Sequence, residues 1–142
     1  MAPGEQDLCL LREPGHEYKE TIASGARAAA AGGFTAIACM ANTRPVNDCA
    51  ATIRYILEKA SEACVHVLPV AALTMGLQGT ALTEMGDLKA AGAVALSDDG
   101  RSIADTQVMR LALEYASSFE LPVLCHCEDT SLSAGGAMHE GT

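Results

Sequence analysis

Two short stretches bring together side chains able to bind a metal or move a proton. In Leu121–Asp129, Leu-Pro-Val-Leu-Cys-His-Cys-Glu-Asp, an apolar run breaks into His126, Cys127, Glu128 and Asp129. In Ala93–Arg101, Ala-Val-Ala-Leu-Ser-Asp-Asp-Gly-Arg, another apolar run breaks into Asp98 and Asp99 and then a glycine. A carboxylate and an imidazole at the ends of neighbouring strands would stand side by side in a parallel sheet, and borderline divalent ions accept such mixed oxygen and nitrogen ligands. The Cys-His-Cys around His126 is weaker as a zinc triad, because alternation along a strand turns both thiols away from the face that carries the histidine. A lone histidine after an apolar run is ordinarily a core or surface residue. Two stretches of the same build are what point to a site.

The elements that must position these groups repeat. Apolar runs begin near Leu8, Thr35, Val65, Ala93 and Leu121, spaced 27, 30, 28 and 28 residues apart. That period is one strand plus one helix, and it implies right-handed crossovers and a parallel sheet. The runs predict strands near 7–11, 34–40, 65–71, 93–97 and 121–126. Between them, Tyr18, Ile22, Ala26, Ala29, Ala30 and Gly33 follow a helical stripe that Gly32 and Gly33 stop. Asn47 or Asp48 can cap a helix burying Ala50, Ile53, Leu57 and Ala60. Thr80 can cap one with Leu82, Met85 and Leu88, closed by Gly92. A fourth helix starts at Asp105 and buries Val108, Leu111, Ala112 and Tyr115. Thr130–Thr142 is Gly-rich and reads as a loop with one helical turn. The period fits either a doubly wound sheet or part of a (β/α)8 barrel, and it does not choose between them. No G-x-G-x-x-G or G-x-x-x-x-G-K-[ST] nucleotide loop is present.

Composition narrows the class. A chain of 142 residues, 49% hydrophobic and 19% charged, suits one globular domain spanning 1–142. Its net charge of -9 repels phosphate backbones and anionic membranes, so nucleic acid is not an expected partner. No apolar run approaches a membrane span, and Met1–Asp7 lacks the features of a signal peptide. A soluble, cytoplasmic protein is expected. The six cysteines show no C-x-x-C pair and lie mostly in apolar runs, which reads as reduced core thiols.

Taken in order, the strand ends carry Leu11-Arg12-Glu13-Pro14-Gly15, Met40-Ala41-Asn42-Thr43-Arg44-Pro45, Ser97-Asp98-Asp99-Gly100-Arg101 and His126-Cys127-Glu128-Asp129. From about Leu11 to Gly141 this resembles the bacterial type of dihydroorotase in the cyclic amidohydrolase superfamily. Glu17-Tyr18-Lys19-Glu20-Thr21 and Ala30-Ala31-Gly32-Gly33-Phe34-Thr35 also match. The resemblance implies an α/β fold, about five βα units of a (β/α)8 TIM barrel, left open. Inward side chains such as Ile37 and Val94 would then be partly uncovered. It also implies a zinc-dependent cyclic amidohydrolase that reversibly closes N-carbamoyl-L-aspartate to dihydroorotate in pyrimidine synthesis. Arg12 and Asn42 match the pair that holds the substrate carboxylate, Asp99 the metal-bridging carboxylate and His126 a zinc-ligating histidine. Two zinc ions so held would polarise the ring amide carbonyl and activate water.

The departures are specific. The family's His-x-His pair falls on Leu8 and Leu10, which cannot ligate zinc. Ala41 stands where the family has a proline, and Met1–Leu10 does not resemble the usual N-terminal subdomain. A further histidine and the aspartate that serves as general base come from later strands, so no catalytic base is expected within this chain. The resemblance therefore implies a truncated dihydroorotase, inactive alone and competent to self-associate. One alternative is a non-catalytic structural partner of aspartate transcarbamoylase. Another is a hydantoinase or allantoinase relative, which Arg12 and Asn42 argue against, because a carboxylate-bearing ring is what needs them.

Overall fold

A computed structural model describes residues 6–136, and it places four of the apolar runs side by side in one parallel sheet. The strands are β1 (Gln6–Cys9), β2 (Ala36–Cys39), β3 (His66–Ala71) and β4 (Ala95–Leu96), in the order β1-β2-β3-β4. Registers run Leu8↔Ala38, Ala38↔Leu68 and Val70↔Ala95. Each strand lies beside its sequence neighbour, the order of consecutive βα units in a barrel. The fifth run forms only a bridge from Leu96 to Val123, with Leu96 N donating to Pro122 O (2.9 Å) and Leu124 N to Leu96 O (2.8 Å). Pro122 has no N–H to give a ladder, which shortens the strand expected at 121–126.

The helices are α1 (Ile22–Ala31), α2 (Ala50–Ala60), α3 (Met85–Ala91), α4 (Thr106–Ser117) and the single turn α5 (Thr130–Ser133). Thr21 and Ser24 form a capping box on α1, Thr21 Oγ1 accepting from Ser24 N (3.1 Å) and Ser24 Oγ from Thr21 N (2.9 Å). Asp105 caps α4 as expected, accepting from Gln107 N (2.8 Å). Two other expected caps fail. α2 follows Cys49 with no side-chain cap, because Asn47 is buried with its amide on Val70 O (2.7 Å) and Asp48 accepts from Gly76 N (2.9 Å). α3 begins at Met85 rather than after Thr80, and Gly92 ends it at φ 113.

The helices cover one face of the sheet. Ile37, Cys39 and Val67 pack with Leu11, Ile22 and Ile56, while Ala71, Leu73 and Leu96 meet Ile53, Met85, Leu88 and Ala112. The opposite face carries Ala38, Met40, Val70 and Ala95, with Val94 and Leu124 partly buried against them. Ile37 is therefore a helix-side residue, 2% exposed, contrary to the inward position expected for it. Leu8 shares the inner face with Ala38 and is 55% exposed, and Leu10 is 41% exposed. Leu111, expected to be buried on α4, also faces solvent. Of the cysteines, only Cys39 is fully buried and Cys49, Cys64, Cys125 and Cys127 are exposed, which corrects the expectation of core thiols. Residues 137–142 of the expected C-terminal loop lie outside the described residues.

Candidate functional site at the strand ends

The C-terminal ends of the strands carry the first three motifs, and the loops that bear them are tied to one another. Arg44 N donates to Pro14 O (3.0 Å), which joins the loop after β1 to the loop after β2. The approach is so close at Gly15 (φ 96) that a Cβ there would meet Arg44 O at 1.9 Å, so only glycine fits. Buried Glu13 accepts from Ile22 N (2.9 Å) and from the Tyr55 hydroxyl (3.1 Å), anchoring the first loop to α1 and α2. Arg12, beside it, is half-buried and makes no ion pair among the described residues.

Adjacent aspartates after β4 diverge. Asp98 turns back into the protein, 4% exposed, and accepts from Leu73 N (2.8 Å), Thr74 N (3.0 Å) and the Thr74 hydroxyl. It shapes the loop after β3. A turn follows in which Arg101 N reaches Asp98 O (2.9 Å) and Gly100 adopts φ 82, leaving Asp99 at the mouth. There Asn42 Nδ2 donates to Asp99 Oδ2 (3.1 Å), and Asp99 Oδ1 lies 3.8 Å from His126 Nδ1. Asn42 Oδ1 is buried with no partner.

His126 is held from two further sides. Its Nε2 lies 2.8 Å from Glu128 Oε2, and its carbonyl accepts from Ser102 Oγ (2.7 Å). Ser102 also meets Glu128 O and accepts from Glu128 N (3.0 Å). The Ser133 hydroxyl and then the His126 ring hold the Glu128 carboxyl below the ordinary range, so it stays ionised. Ser131 does the same for Asp129 through its side chain and its backbone N–H.

Three of the four expected site residues, Asn42, Asp99 and His126, thus form one contacting group, and Arg12 follows the adjacent strand at the same end. Asp98 points elsewhere, as expected of a neighbour on a chain leaving a strand. Missed from the sequence were the contact of Glu128 with His126 and the clamp by Ser102. Glu128 was visible as a carboxylate two residues from a histidine, whereas a single serine in a loop carries no signal.

Beside the group is a cavity of about 330 Å³ lined by Leu77, Gln78, Gly79, Asp98, Gly100, Arg101, Ser102 and Glu128. A larger hollow of about 770 Å³ opens at the other end of the strands, between Gly33, Phe34, Cys64 and His66. The contact between a carboxylate and an imidazole lies at the mouth, and the chemistry argues for that end. For zinc the donor set fits in kind but not in number. Two ligands about 2.0–2.1 Å from a tetrahedral ion stand about 3.4 Å apart, close to the 3.8 Å between Asp99 and His126. Among the described residues, however, no group of three His, Cys, Asp or Glu could hold a metal ion. The pair offers two donors and not a complete ligand set, and no helix among the described residues is long and apolar enough to cross a membrane.

Fold and site together define part of an α/β barrel whose mouth gathers carboxylate, amide and imidazole groups. The model of the Dihydro-orotase-like family matches residues 1–142. The chain is 59% identical to a dihydroorotase of Syntrophobacter fumaroxidans and 57% identical to one of Solibacter usitatus, in each case over 99% of this chain and 33% of the relative. A dihydroorotase of Geobacter sulfurreducens is 54% identical, over 99% of this chain and 34% of that protein. The chain belongs to the dihydroorotase-like family, a family of hydrolases, and spans about a third of the length of these relatives.

Proposed function

We propose that this chain is the portion of a dihydroorotase running from the first strand to the fifth, folded as one partial barrel domain over 1–142. The complete enzyme would reversibly cyclise N-carbamoyl-L-aspartate to dihydroorotate in the cytoplasm. The observation that supports this best is the grouping of Asn42, Asp99 and His126 at the mouth of the sheet. The name dihydroorotase carried by the relatives agrees with it.

The roles follow from the chemistry of each side chain. Arg12 offers a planar fork to the substrate carboxylate. Asn42 spends one N–H on Asp99 and keeps a second N–H for the substrate carboxylate. By taking that N–H, Asp99 keeps the amide of Asn42 in one orientation. Asp99 and His126 would hold zinc together with donors from the rest of the enzyme, and zinc, when bound, polarises the ring amide carbonyl. None of the four is placed as general base, a role left to a residue outside this chain.

Leu8 and Leu10, at the positions of the His-x-His pair, favour a second reading: a non-catalytic partner of aspartate transcarbamoylase. One experiment separates the two. The chain is fused to the remaining two thirds of the Syntrophobacter relative, with and without Leu8→His and Leu10→His, and dihydroorotate ring opening is followed by absorbance. Turnover in the histidine-restored fusion, with a raised KM in Arg12→Ala, supports the enzyme reading. A folded, zinc-loaded fusion without turnover refutes it, and transcarbamoylase bound stoichiometrically to the unmodified chain would then favour the second.

A further inference from the structure

We propose that Glu128 is a positioning residue: it fixes His126 in the Nε2–H tautomer and so presents the Nδ1 lone pair beside Asp99. A carboxylate accepts hydrogen bonds and cannot donate them. With Glu128 Oε2 at hydrogen-bond distance from His126 Nε2, 2.8 Å, the proton of the neutral ring must sit on that nitrogen. The other carboxylate facing the ring is Asp99, whose Oδ1 is 3.8 Å from Nδ1, too far for a hydrogen bond, and whose Oδ2 is occupied by Asn42. Two carboxylates compete for one proton, and the nearer one takes it. The lone pair left on Nδ1 then faces Asp99.

Glu128 can do this because its loop is held. Ser102 Oγ lies on His126 O and accepts from Glu128 N, and Glu128 N also reaches His126 O at 3.1 Å. The turn therefore folds the Glu128 side chain back over the ring two residues before it. A carboxylate on the far nitrogen of a ligating imidazole also raises the basicity of the near one. That consequence for metal binding rests on the reading proposed above, whereas the tautomer does not, so the two can fail separately.

The test is a long-range ¹H–¹⁵N correlation spectrum of the ring nitrogens of the 142-residue chain at about pH 8.5, above the ordinary imidazole pKa of about 6.5. His126 is identified by the signals lost in His126→Gln. The parent should show the Nε2–H form in excess by about tenfold or more. Glu128→Ala removes the acceptor on Nε2, leaves no carboxylate within hydrogen-bond distance of the ring among the described residues, and should cut the excess of the Nε2–H form severalfold. Glu128→Gln, whose amide oxygen still accepts, should restore the parent ratio, and Asp99→Asn should leave it unchanged. A merely structural role for Glu128 would not move the tautomer in this pattern. An Nδ1–H ring in the parent, or a ratio unmoved in Glu128→Ala, overturns the proposal.

Discussion

Asp98 and Asp99 are neighbours in sequence with opposite duties, and substituting each to alanine should separate stability from site chemistry. Asp98 satisfies two backbone N–H groups, those of Leu73 and Thr74, and the Thr74 hydroxyl, all buried. Removing it leaves the two N–H groups without acceptors, at about 1–3 kcal/mol each, while the hydroxyl can turn elsewhere. The expected loss is about 4 kcal/mol, a large share of the roughly 5–15 kcal/mol that holds a domain together. With a urea slope of about 2 kcal/mol/M, the unfolding midpoint of Asp98→Ala drops by about 2 M. Asp98→Asn keeps an oxygen for Leu73 and Thr74, and its NH2 can meet the Thr74 oxygen, so it should lose about 1 kcal/mol. That variant remains measurable if the alanine variant does not fold. Asp99, a quarter exposed and bonded only to Asn42, should cost under about 1 kcal/mol as alanine. Equal midpoints for Asp98→Ala and Asp99→Ala by circular dichroism would refute the division of labour.

Other outcomes are expected. The chain alone should not open dihydroorotate at a measurable rate, because Asp99 and His126 supply two donors where zinc needs about three or four; Leu8→His with Leu10→His should raise zinc retained after dialysis yet leave turnover absent. Alkylation under native conditions should label Cys49, Cys64, Cys125 and Cys127 and spare Cys39, whose burial pushes its thiol up to about 12; mass spectrometry showing early Cys39 labelling would contradict the packing. Asp129 is depressed below the ordinary 3.8 by Ser131, so the support it gives α5 is present above that value and lost as pH falls through its own lower one. A Ser131 amide shift titrating at or above 3.8 would count against it. The bare inner face at Leu8 and Leu10 should make the chain associate with rising concentration, and Leu8→Lys with Leu10→Lys should weaken this; a strictly monomeric parent by sedimentation would refute it.

What could be read from the sequence follows how local the determinants are. The 28-residue period and the alternation of apolar runs with helical stripes foretold parallel βα units, because strand and helix periods are written in consecutive residues. The cap at Asp105 was legible for the same reason. The caps expected at Asn47 and Asp48 were not formed, because tertiary partners claimed those side chains: Val70 O took the Asn47 amide and Gly76 N the Asp48 carboxylate. The cap expected at Thr80 was not formed because α3 starts later, at Met85. Ile37 was placed on the wrong face because short strands of small residues give the same apolar pattern on both sides. That Asp99 rather than Asp98 faces the mouth came from the family resemblance, since the chain itself says only that two neighbours leaving a strand cannot both face it. The grip of Ser102 on His126 spans 24 residues and depends on a turn that no local pattern announces.

The mouth forms in a chain a third the length of its relatives because each group is fixed by a nearby unit of the same sheet. The loop after β1 rests on Arg44 and Tyr55, that after β2 on Asp99, that after β3 on Asp98, and the His126 turn on Ser102. All of these ties but the Asn42–Asp99 bond, which passes over the β3 unit, run between adjacent βα units, and none needs the closed barrel. The inner face is different. Met40, Val70 and Ala95 are covered by neighbouring units, but β1 has no neighbour on its outer side among the described residues, and there Leu8 and Leu10 stand exposed. On the reading proposed above, those are also the positions at which a histidine pair would add donors to Asp99 and His126. Closing the barrel would cover β1 and add the donors of later strands at once. On that same reading, apolar burial at β1 and metal ligation at the mouth would both draw on further strands of the same barrel, whereas the geometry of the mouth is already held within this chain.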